Sequence, residues 1–196
     1  MFQVRIHGRG GQGVVTAAEL LSLAAFDEGR FAQAFPSFGS ERTGAPVVSF
    51  ARIDDREIRL REPVMQPDAL IIQDPTLLNQ VDVFSGLAPD GYVLINSHHA
   101  FADLGLTDLW ARHDHSRLLT VPAGEFARRT VGRPLPNAAL LGGFAALSDL
   151  ISFRAVADAI RHTFPGDIGE RNVEAAHLAY DHVQNEVREL AHVPAG

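Results

Sequence analysis

Six residues near the start of the chain match a pattern, G-x-G-x-x-G, that can hold an anion: Gly8, Arg9, Gly10, Gly11, Gln12 and Gly13. Glycines let the backbone turn tightly and approach a ligand closely. Where such a loop opens a helix, the free N–H groups of the first turn and the helix dipole favour a negative group such as a diphosphate. Arg9 adds a cation that strand–helix packing does not need. Two interpretations stay open: an anion site, or glycines that only allow close packing.

Binding of NAD or FAD by this motif also requires an acidic residue about 20 positions further on, at the end of the second strand. Residues 29–34 read GRFAQA and contain no acid. A free-standing dinucleotide-binding oxidoreductase is therefore the less favoured interpretation.

A second unusual segment, residues 35–46 (FPSFGSERTGAP), combines two glycines and two prolines with polar side chains and phenylalanines. Its candidate ligand contacts are Gly39, Ser40, Glu41, Arg42, Thr43 and Gly44. Arginine can contact an anion through two parallel hydrogen bonds, which makes Arg42 the sharpest candidate. The alternative is that Glu41 and Arg42 pair only to hold the loop in shape. Long ordered loops inside a domain are usually functional, so we predict that this one faces a ligand or partner.

The hydrophobic pattern that must position these loops predicts a three-layer α/β fold. Its sheet is expected to be mostly parallel with one hairpin, and its glycine loop follows the first strand as in a Rossmann fold. Predicted strands cover residues 2–7, 47–53, 69–73, 91–96 and 118–121, with 57–60 as the return strand of the hairpin. Predicted helices cover residues 14–26, 125–130, 138–150, 153–164 and 168–187. Residues 31–46 are predicted to form a loop, and Asp74 and Asn137 to cap helices.

Composition excludes several classes of chemistry. All 17 basic residues are arginine, which excludes a Schiff-base or P-loop lysine. The chain has no cysteine, so it can hold no iron–sulfur cluster through cysteine ligands. A net charge of −7 argues against nucleic-acid binding. His98-His99 and His113-Asp114-His115 are compatible with a metal site, but no H-E-x-x-H or Cys/His spacing accompanies them, so solvated histidines are the favoured interpretation.

The length and the termini of the chain indicate its domain organisation. A chain of 196 residues suits one domain, here predicted over residues 1–190 with a flexible tail at 191–196. The N-terminus predicts a strand rather than a signal peptide, and no apolar run reaches the length of a membrane span. We therefore expect a soluble, cytoplasmic protein.

The two loops and several shorter segments, in order along nearly the whole chain, resemble the gamma subunits of pyruvate:ferredoxin oxidoreductases and related 2-oxoacid enzymes. The matching segments are residues 7–18 (HGRGGQGVVTAA), 32–36 (AQAFP), 39–47 (GSERTGAPV), 53–55 (IDD), 73–78 (QDPTLL), 137–142 (NAALLG) and 172–176 (NVEAA). The glycine motif alone is weak, but the first two loops together are specific.

This resemblance implies a subunit of a larger enzyme that oxidatively decarboxylates a 2-oxoacid to an acyl-CoA and carbon dioxide. Thiamine diphosphate with Mg and the iron–sulfur clusters would be held by alpha, beta and ferredoxin-like delta subunits, and a flavin subunit could pass electrons to NAD. The gamma portion is associated with coenzyme A, which carries a diphosphate and a 3′-phosphate. The resemblance thus assigns the glycine loop and residues 39–44 to coenzyme A.

Three hypotheses of the function stay open. The first is a gamma subunit that helps to bind coenzyme A and close the active site, acting on pyruvate or a related branched-chain or aryl 2-oxoacid. The second is a subunit that only holds its partners together without touching a ligand. The third is the free-standing dinucleotide-binding oxidoreductase.

Overall fold

Six strands form one sheet in the order β2-β3-β1-β4-β5-β6 in the computed structural model, which describes residues 1–37 and 43–191. The strands are β1 (Phe2–Arg9), β2 (Phe31–Pro36), β3 (Pro46–Asp54), β4 (Ala69–Ile72), β5 (Tyr92–Asn96) and β6 (Leu118–Val121). The helices are α1 (Val14–Asp27), α2 (Thr107–Arg112), α3 (Ala123–Thr130), α4 (Asn137–Ser148), α5 (Phe153–Thr163) and α6 (Asp167–Ala191). Two 3-10 turns lie at Pro75–Asn79 and His115–Arg117.

Only β3 runs against the other strands. It pairs antiparallel with both β1 and β2, whereas β1, β4, β5 and β6 pair in parallel. The predicted α/β class and mostly parallel sheet are therefore confirmed.

The antiparallel partner of β3 differs from the predicted one. Residues 57–60 form no strand, and the outer partner is β2, which occupies the first part of the segment predicted as a loop. The register places Phe35 opposite Phe50, with ring centroids 5.1 Å apart. Phe31–Pro36 contains no β-branched residue, so its pairing with β3 rather than its own propensity makes it a strand.

Each face of the sheet has its own cover. Side chains such as Val4, Ile6, Ile71 and Leu94 lie on the face that packs against α1, α4, α5 and α6. The alternate residues of the parallel strands point to the other face, as the strand period requires. That second face is covered by two segments on either side of β5, residues 77–87 and residues 101–110, the second of which includes most of the short helix α2. The predicted three layers are present.

Helix α4 is buried along most of its length and packs closely on α6. A Cβ at Gly142 would lie only 2.0 Å from the carbonyl oxygen of Ala176, so glycine is required for this approach. The N-terminus of α4 is thereby fixed beside the ends of the parallel strands, where the candidate site lies.

The connections leave a crevice at one place in the sheet. From β1 the chain crosses to β2 and β3 on one side, whereas from β4 it continues to β5 and β6 on the other. Open α/β sheets bind ligands outside the carboxyl ends of the strands at such a switch point. The ends of β1 and β4 carry the glycine loop and Asp74.

Candidate functional site

The glycine loop turns directly into α1. Gly13 is the N-cap, with φ of 70° and ψ of 37°, and no side chain of the described residues caps the helix. The first helical hydrogen bond runs from the Ala17 N–H to the Gly13 carbonyl, at 2.9 Å. The N–H groups of Val14, Val15 and Thr16 therefore have no partner within the helix.

These N–H groups border a groove of about 250 Å³ whose wall across from the helix is β3. Its lining residues are Arg9, Gly10, Gly11, Gly13, Val14, Val15, Thr16 and Val47. The glycine loop thus presents backbone donors and a helix N-terminus to open space, as an anion site requires.

Glycine is also needed for packing at the start of the loop. A Cβ at Gly8 would lie 2.6 Å from Cγ2 of Val14 and 3.2 Å from Cβ of Gln73. The two interpretations of the motif therefore apply to different positions: Gly8 allows the strand and helix to approach, and residues 10–13 border the groove.

Arg9 is held by acceptors of its own chain. Its Nε donates to Asp74 Oδ2 at 3.1 Å, its Nη1 to the Gly44 carbonyl at 3.0 Å, and its Nη2 to Thr76 Oγ1 at 2.7 Å. Nη2 also donates to Gln80 Oε1 at 3.0 Å. With most of its donors in use, Arg9 acts on a ligand chiefly by fixing the shape of the loop.

Asp74 lies at the centre of this network. Its Oδ2 accepts from Gln12 Nε2 at 2.9 Å as well as from Arg9, and its Oδ1 accepts from the Thr76 N–H at 3.0 Å. Partial burial opposes ionisation of the carboxyl, but hydrogen bonds from Thr76 and Gln12, with the charge of Arg9, hold its pKa below the ordinary value. The predicted cap is confirmed, and the same carboxylate joins β4 to the glycine loop.

The two predicted loops meet. The Gly10 N–H donates to the Ala45 carbonyl at 2.9 Å, and the Gly44 N–H donates to the Gly10 carbonyl at 3.0 Å. Thr43 and Gly44 are exposed beside the glycine loop. The other predicted contacts of this segment, Gly39, Ser40, Glu41 and Arg42, lie outside the described residues, so their assignment to a ligand stays a prediction.

Two buried amides near the glycine loop were not predicted as site residues. Gln73 is 1% exposed, and neither polar atom of its side chain has a hydrogen-bond partner within the described residues. Asn137 was predicted to cap α4, which is wrong: Pro136 is the N-cap, and no side chain caps the helix. The Asn137 amide instead packs on the loop, 2.4 Å from where a Cβ of Gly13 would lie. In the sequence, the only signal that could have placed Gln73 and Asn137 at the site is their position, at the end of a strand and at the start of a helix.

Behind the glycine loop, β1 carries a buried cation beside a neutral histidine. Arg5 Nε donates to His7 Nε2 at 3.0 Å. Burial, reinforced by the charge of Arg5, lowers the pKa of His7 to about 4. The pair is buried and belongs to the strand that leads directly into the glycine loop.

No group of three or more metal-ligating side chains occurs in residues 1–37 and 43–191. Over the same residues, no helix has both the length and the apolar character needed to cross a membrane. His115, one of the histidines considered for a metal, stacks on Trp110 with ring centroids 3.9 Å apart.

Comparison with known proteins gives one consistent result. A profile of the family described as pyruvate ferredoxin/flavodoxin oxidoreductase matches residues 3–182. Pyruvate synthase subunit PorC of Methanothermobacter marburgensis is 44% identical over 185 residues, covering 94% of this chain and 99% of the relative. The pyruvate/ketoisovalerate oxidoreductases common subunit gamma of Pyrococcus abyssi is 44% identical over 184 residues, covering 94% and 98%. The crystal structure of pyruvate oxidoreductase subunit PORC from Thermotoga maritima is 30% identical with a TM-score of 0.76, covering 92% and 95%.

Proposed function

Since this chain belongs to the pyruvate ferredoxin/flavodoxin oxidoreductase family, as a gamma-type subunit that does not act alone, we propose that it helps to bind coenzyme A and to close the active site. The reaction served is oxidative decarboxylation of a 2-oxoacid to an acyl-CoA and carbon dioxide, with the two electrons passed to ferredoxin. Thiamine diphosphate in partner subunits supplies the carbanion chemistry.

The observation that carries this proposal is the open N-terminus of α1. Three N–H groups of its first turn border a groove, and no acidic side chain is among the described residues that line it. A diphosphate placed there would receive backbone hydrogen bonds and a favourable helix dipole. Coenzyme A contains such a diphosphate, and the dinucleotide alternative lacks the acid that it needs.

The junction of the two loops supports a role in closing the active site. Gly10 exchanges hydrogen bonds with Gly44 and Ala45, so residues 43–45, of which Thr43 and Gly44 are exposed, are tied to the groove. In this proposal the described residues of the second loop take part in closing the active site beside the diphosphate.

Substitution of Thr16 tests the ligand directly. Thr16 lines the groove at the third position of α1, where glutamate suits the helix dipole. We expect Thr16→Glu to leave stability unchanged but to raise the KM for coenzyme A about tenfold, because its carboxylate repels the diphosphate. The measurement is the 2-oxoacid-dependent reduction of a viologen dye by the assembled complex.

Thr16→Gln is the matched control, with nearly the same size and no charge. It should leave the KM for coenzyme A within about twofold of the wild type. If Thr16→Glu assembled normally and left that KM unchanged, a subunit that only holds its partners together would replace the present proposal.

The partners and the substrate are proposed by analogy with the relatives. Their names specify pyruvate and ketoisovalerate, so we propose pyruvate or a branched-chain or aryl 2-oxoacid, with alpha, beta and delta subunits as partners. Anaerobic purification of the chain from its source, with identification of co-purifying chains, tests the partners. Assay of the purified complex against a series of 2-oxoacids identifies the substrate, and purification of the chain alone would overturn the partner assignment.

A further inference from the structure

Strand β2 leaves one edge of the sheet unpaired. It is the outermost strand, and in the described part of the chain it pairs with β3 alone. The Ser37 N–H donates to the opposing Val48 carbonyl at 2.8 Å. Because the residues of an antiparallel strand face the partner strand alternately, the N–H and carbonyl groups of Ala32 and Ala34 point away from β3. None of these four groups has a hydrogen-bond partner among the described residues.

The opposite edge of the sheet is protected in ways that β2 is not. Strand β6 has only four residues, and its first N–H, that of Leu118, donates to the His115 carbonyl. Native proteins also protect sheet edges with charged side chains. Strand β2 carries no charged residue, and Phe31 is 48% exposed. An uncharged edge with free donors and acceptors is a surface on which a further strand can pair.

The sequence of this edge indicates which strand fits it. Residues 31–35 read FAQAF, which is the same in both directions. When a second copy runs antiparallel about a two-fold axis through the central glutamine, each phenylalanine faces a phenylalanine and each alanine faces an alanine. The free backbone groups of the two copies then make four hydrogen bonds, two for each pair of Ala32 with Ala34 of the other copy.

The side chains suit the same register. Phe31 and Phe35 of the other copy form a non-hydrogen-bonded pair, in which facing side chains approach most closely, and aromatic pairs of this kind stabilise a sheet. The two copies of Gln33 face each other on the axis, and each amide offers both a donor and an acceptor. The edge of β2 is therefore complementary to itself in its backbone and in its side chains.

Both ends of β2 oppose other registers. A shift of two residues in one direction would place Pro36, which has no N–H, opposite Ala32 and would lose hydrogen bonds. A shift in the other direction would need the Arg30 N–H, which already donates to the Ala25 carbonyl at 3.1 Å. The register centred on Gln33 is the one that uses every free group.

We propose that two copies of this chain pair through β2, which joins their sheets across a two-fold axis at Gln33. The proposal does not depend on the ligand of the glycine loop. Strands β1 and β2 run in the same direction, since β3 is antiparallel to both. The antiparallel pairing therefore places the grooves at the two α1 N-termini on opposite edges of the joined sheet.

The absence of cysteine from the chain allows a direct test. We expect Gln33→Cys to form a disulfide between two copies on mild oxidation, because facing Cα atoms of a non-hydrogen-bonded pair lie about 4.5 Å apart. Ala34→Cys is the matched control on the same strand. Its two copies would lie about 7–8 Å apart on the diagonal, which is too far for a disulfide. Electrophoresis without reductant measures both, in the purified chain and in the assembled complex.

Sedimentation equilibrium gives a second, independent measurement. The purified wild-type chain at about 50 µM should have twice the 21.2 kDa mass of one chain. Phe31→Lys should weaken dimerisation at least about tenfold, since it places a lysine beside Phe35 of the other copy, where the Arg52 guanidinium lies 5.1 Å from the ring centroid. Phe26→Lys, at a 68% exposed position on α1, is the control and should dimerise as the wild type does.

Three outcomes would overturn the proposal. The first is a Gln33→Cys chain that forms no disulfide with itself, either alone or in the assembled complex. The second is a disulfide from Gln33→Cys to a different subunit, which would assign the edge of β2 to that subunit. The third is equal behaviour of test and control, either equal cross-linking of Gln33→Cys and Ala34→Cys or equal dimerisation of Phe31→Lys and the wild type.

Discussion

Arginines occur in two regions of this molecule under opposite conditions. Arg5 and Arg52 lie under the second face of the sheet, only 8% and 2% exposed, and donate to backbone carbonyls. Arg128 and Arg129 lie on α3, and their exposed side chains have no partner in the described part of the chain. Arginine therefore supports the fold in the first region and is an exposed cation in the second. The difference lies in the surroundings of the side chain.

The buried region shows what makes its charge tolerable. Arg5 Nη2 donates to the carbonyls of Val83 and Ser85, at 2.9 and 2.6 Å, and holds the covering loops against β1. Burial lowers the pKa of Arg5, and its hydrogen bonds offset that cost. Because Val83 and Val64, whose carbonyls both accept from Arg5, are buried, the cation and these acceptors depend on each other.

The largest effect should come from breaking the buried arrangement. We expect Arg5→Met to reduce the free energy of unfolding by about 3 kcal/mol or more, because it leaves buried carbonyls without donors. Urea denaturation of the purified chain measures this. Arg59→Met, at a position whose side chain is 85% exposed, is the control and should change stability by less than about 0.5 kcal/mol. Similar losses for both variants would contradict the comparison.

A change of pH sharpens the comparison within the buried region. The pKa of His7 is about 4 in the folded chain, so His7 stays neutral there, whereas in the unfolded chain it takes a proton near pH 6.5. Between these values the unfolded state binds more protons, so stability falls as the pH drops from 6.5 to 4. The loss from His7 should reach at most about 3 kcal/mol.

The variant His7→Gln isolates this contribution, because glutamine can still accept from Arg5 but does not titrate. Urea denaturation at pH 7 and pH 4.5 should show roughly 2 kcal/mol less loss for His7→Gln than for the wild type. Equal losses for the two proteins would show that His7 is not the group that titrates.

The smallest effect is expected for the two exposed arginines of α3. Arg128→Gln/Arg129→Gln should shift the free energy of unfolding by less than about 0.5 kcal/mol, because exposed arginines without partners add little to stability. The same denaturation measurement applies. A loss above about 1 kcal/mol would mean that these arginines support the fold, and would remove the contrast between the two regions.

Periodicity predicted the elements that bury a regular face. The central strands and the helices after residue 120 follow from apolar spacing, and their ends agree with the structure within a few residues. The failures have physical causes. Residues 57–60 alternate like a strand but instead supply a loop, where the Leu60 carbonyl accepts from Arg52. Helix α2 has no buried residue, so it gives no periodic signal.

The candidate site was predictable in its residues more than in its geometry. The glycine pattern located the loop, and a helix does begin at Val14 behind it. Sequence reasoning treated Arg9 as a ligand contact because its charge was unexplained. The explanation lies 65 residues further on, in Asp74, and in Gly44 and Thr76. Such long-range hydrogen bonds leave no trace in local spacing.

The central position of the first strand has a consequence during synthesis. Strand β1 is complete at Arg9, but its two neighbours, β3 and β4, end only at Asp54 and Ile72. At about 5–20 residues per second, the ribosome needs roughly 3 to 13 seconds to make the 63 residues (72 − 9) between the ends of β1 and β4. In a nascent chain both edges of β1 are therefore unpaired until β3 is made, and the edge that pairs with β4 stays unpaired for the whole interval, so the glycine loop can take its shape only after it.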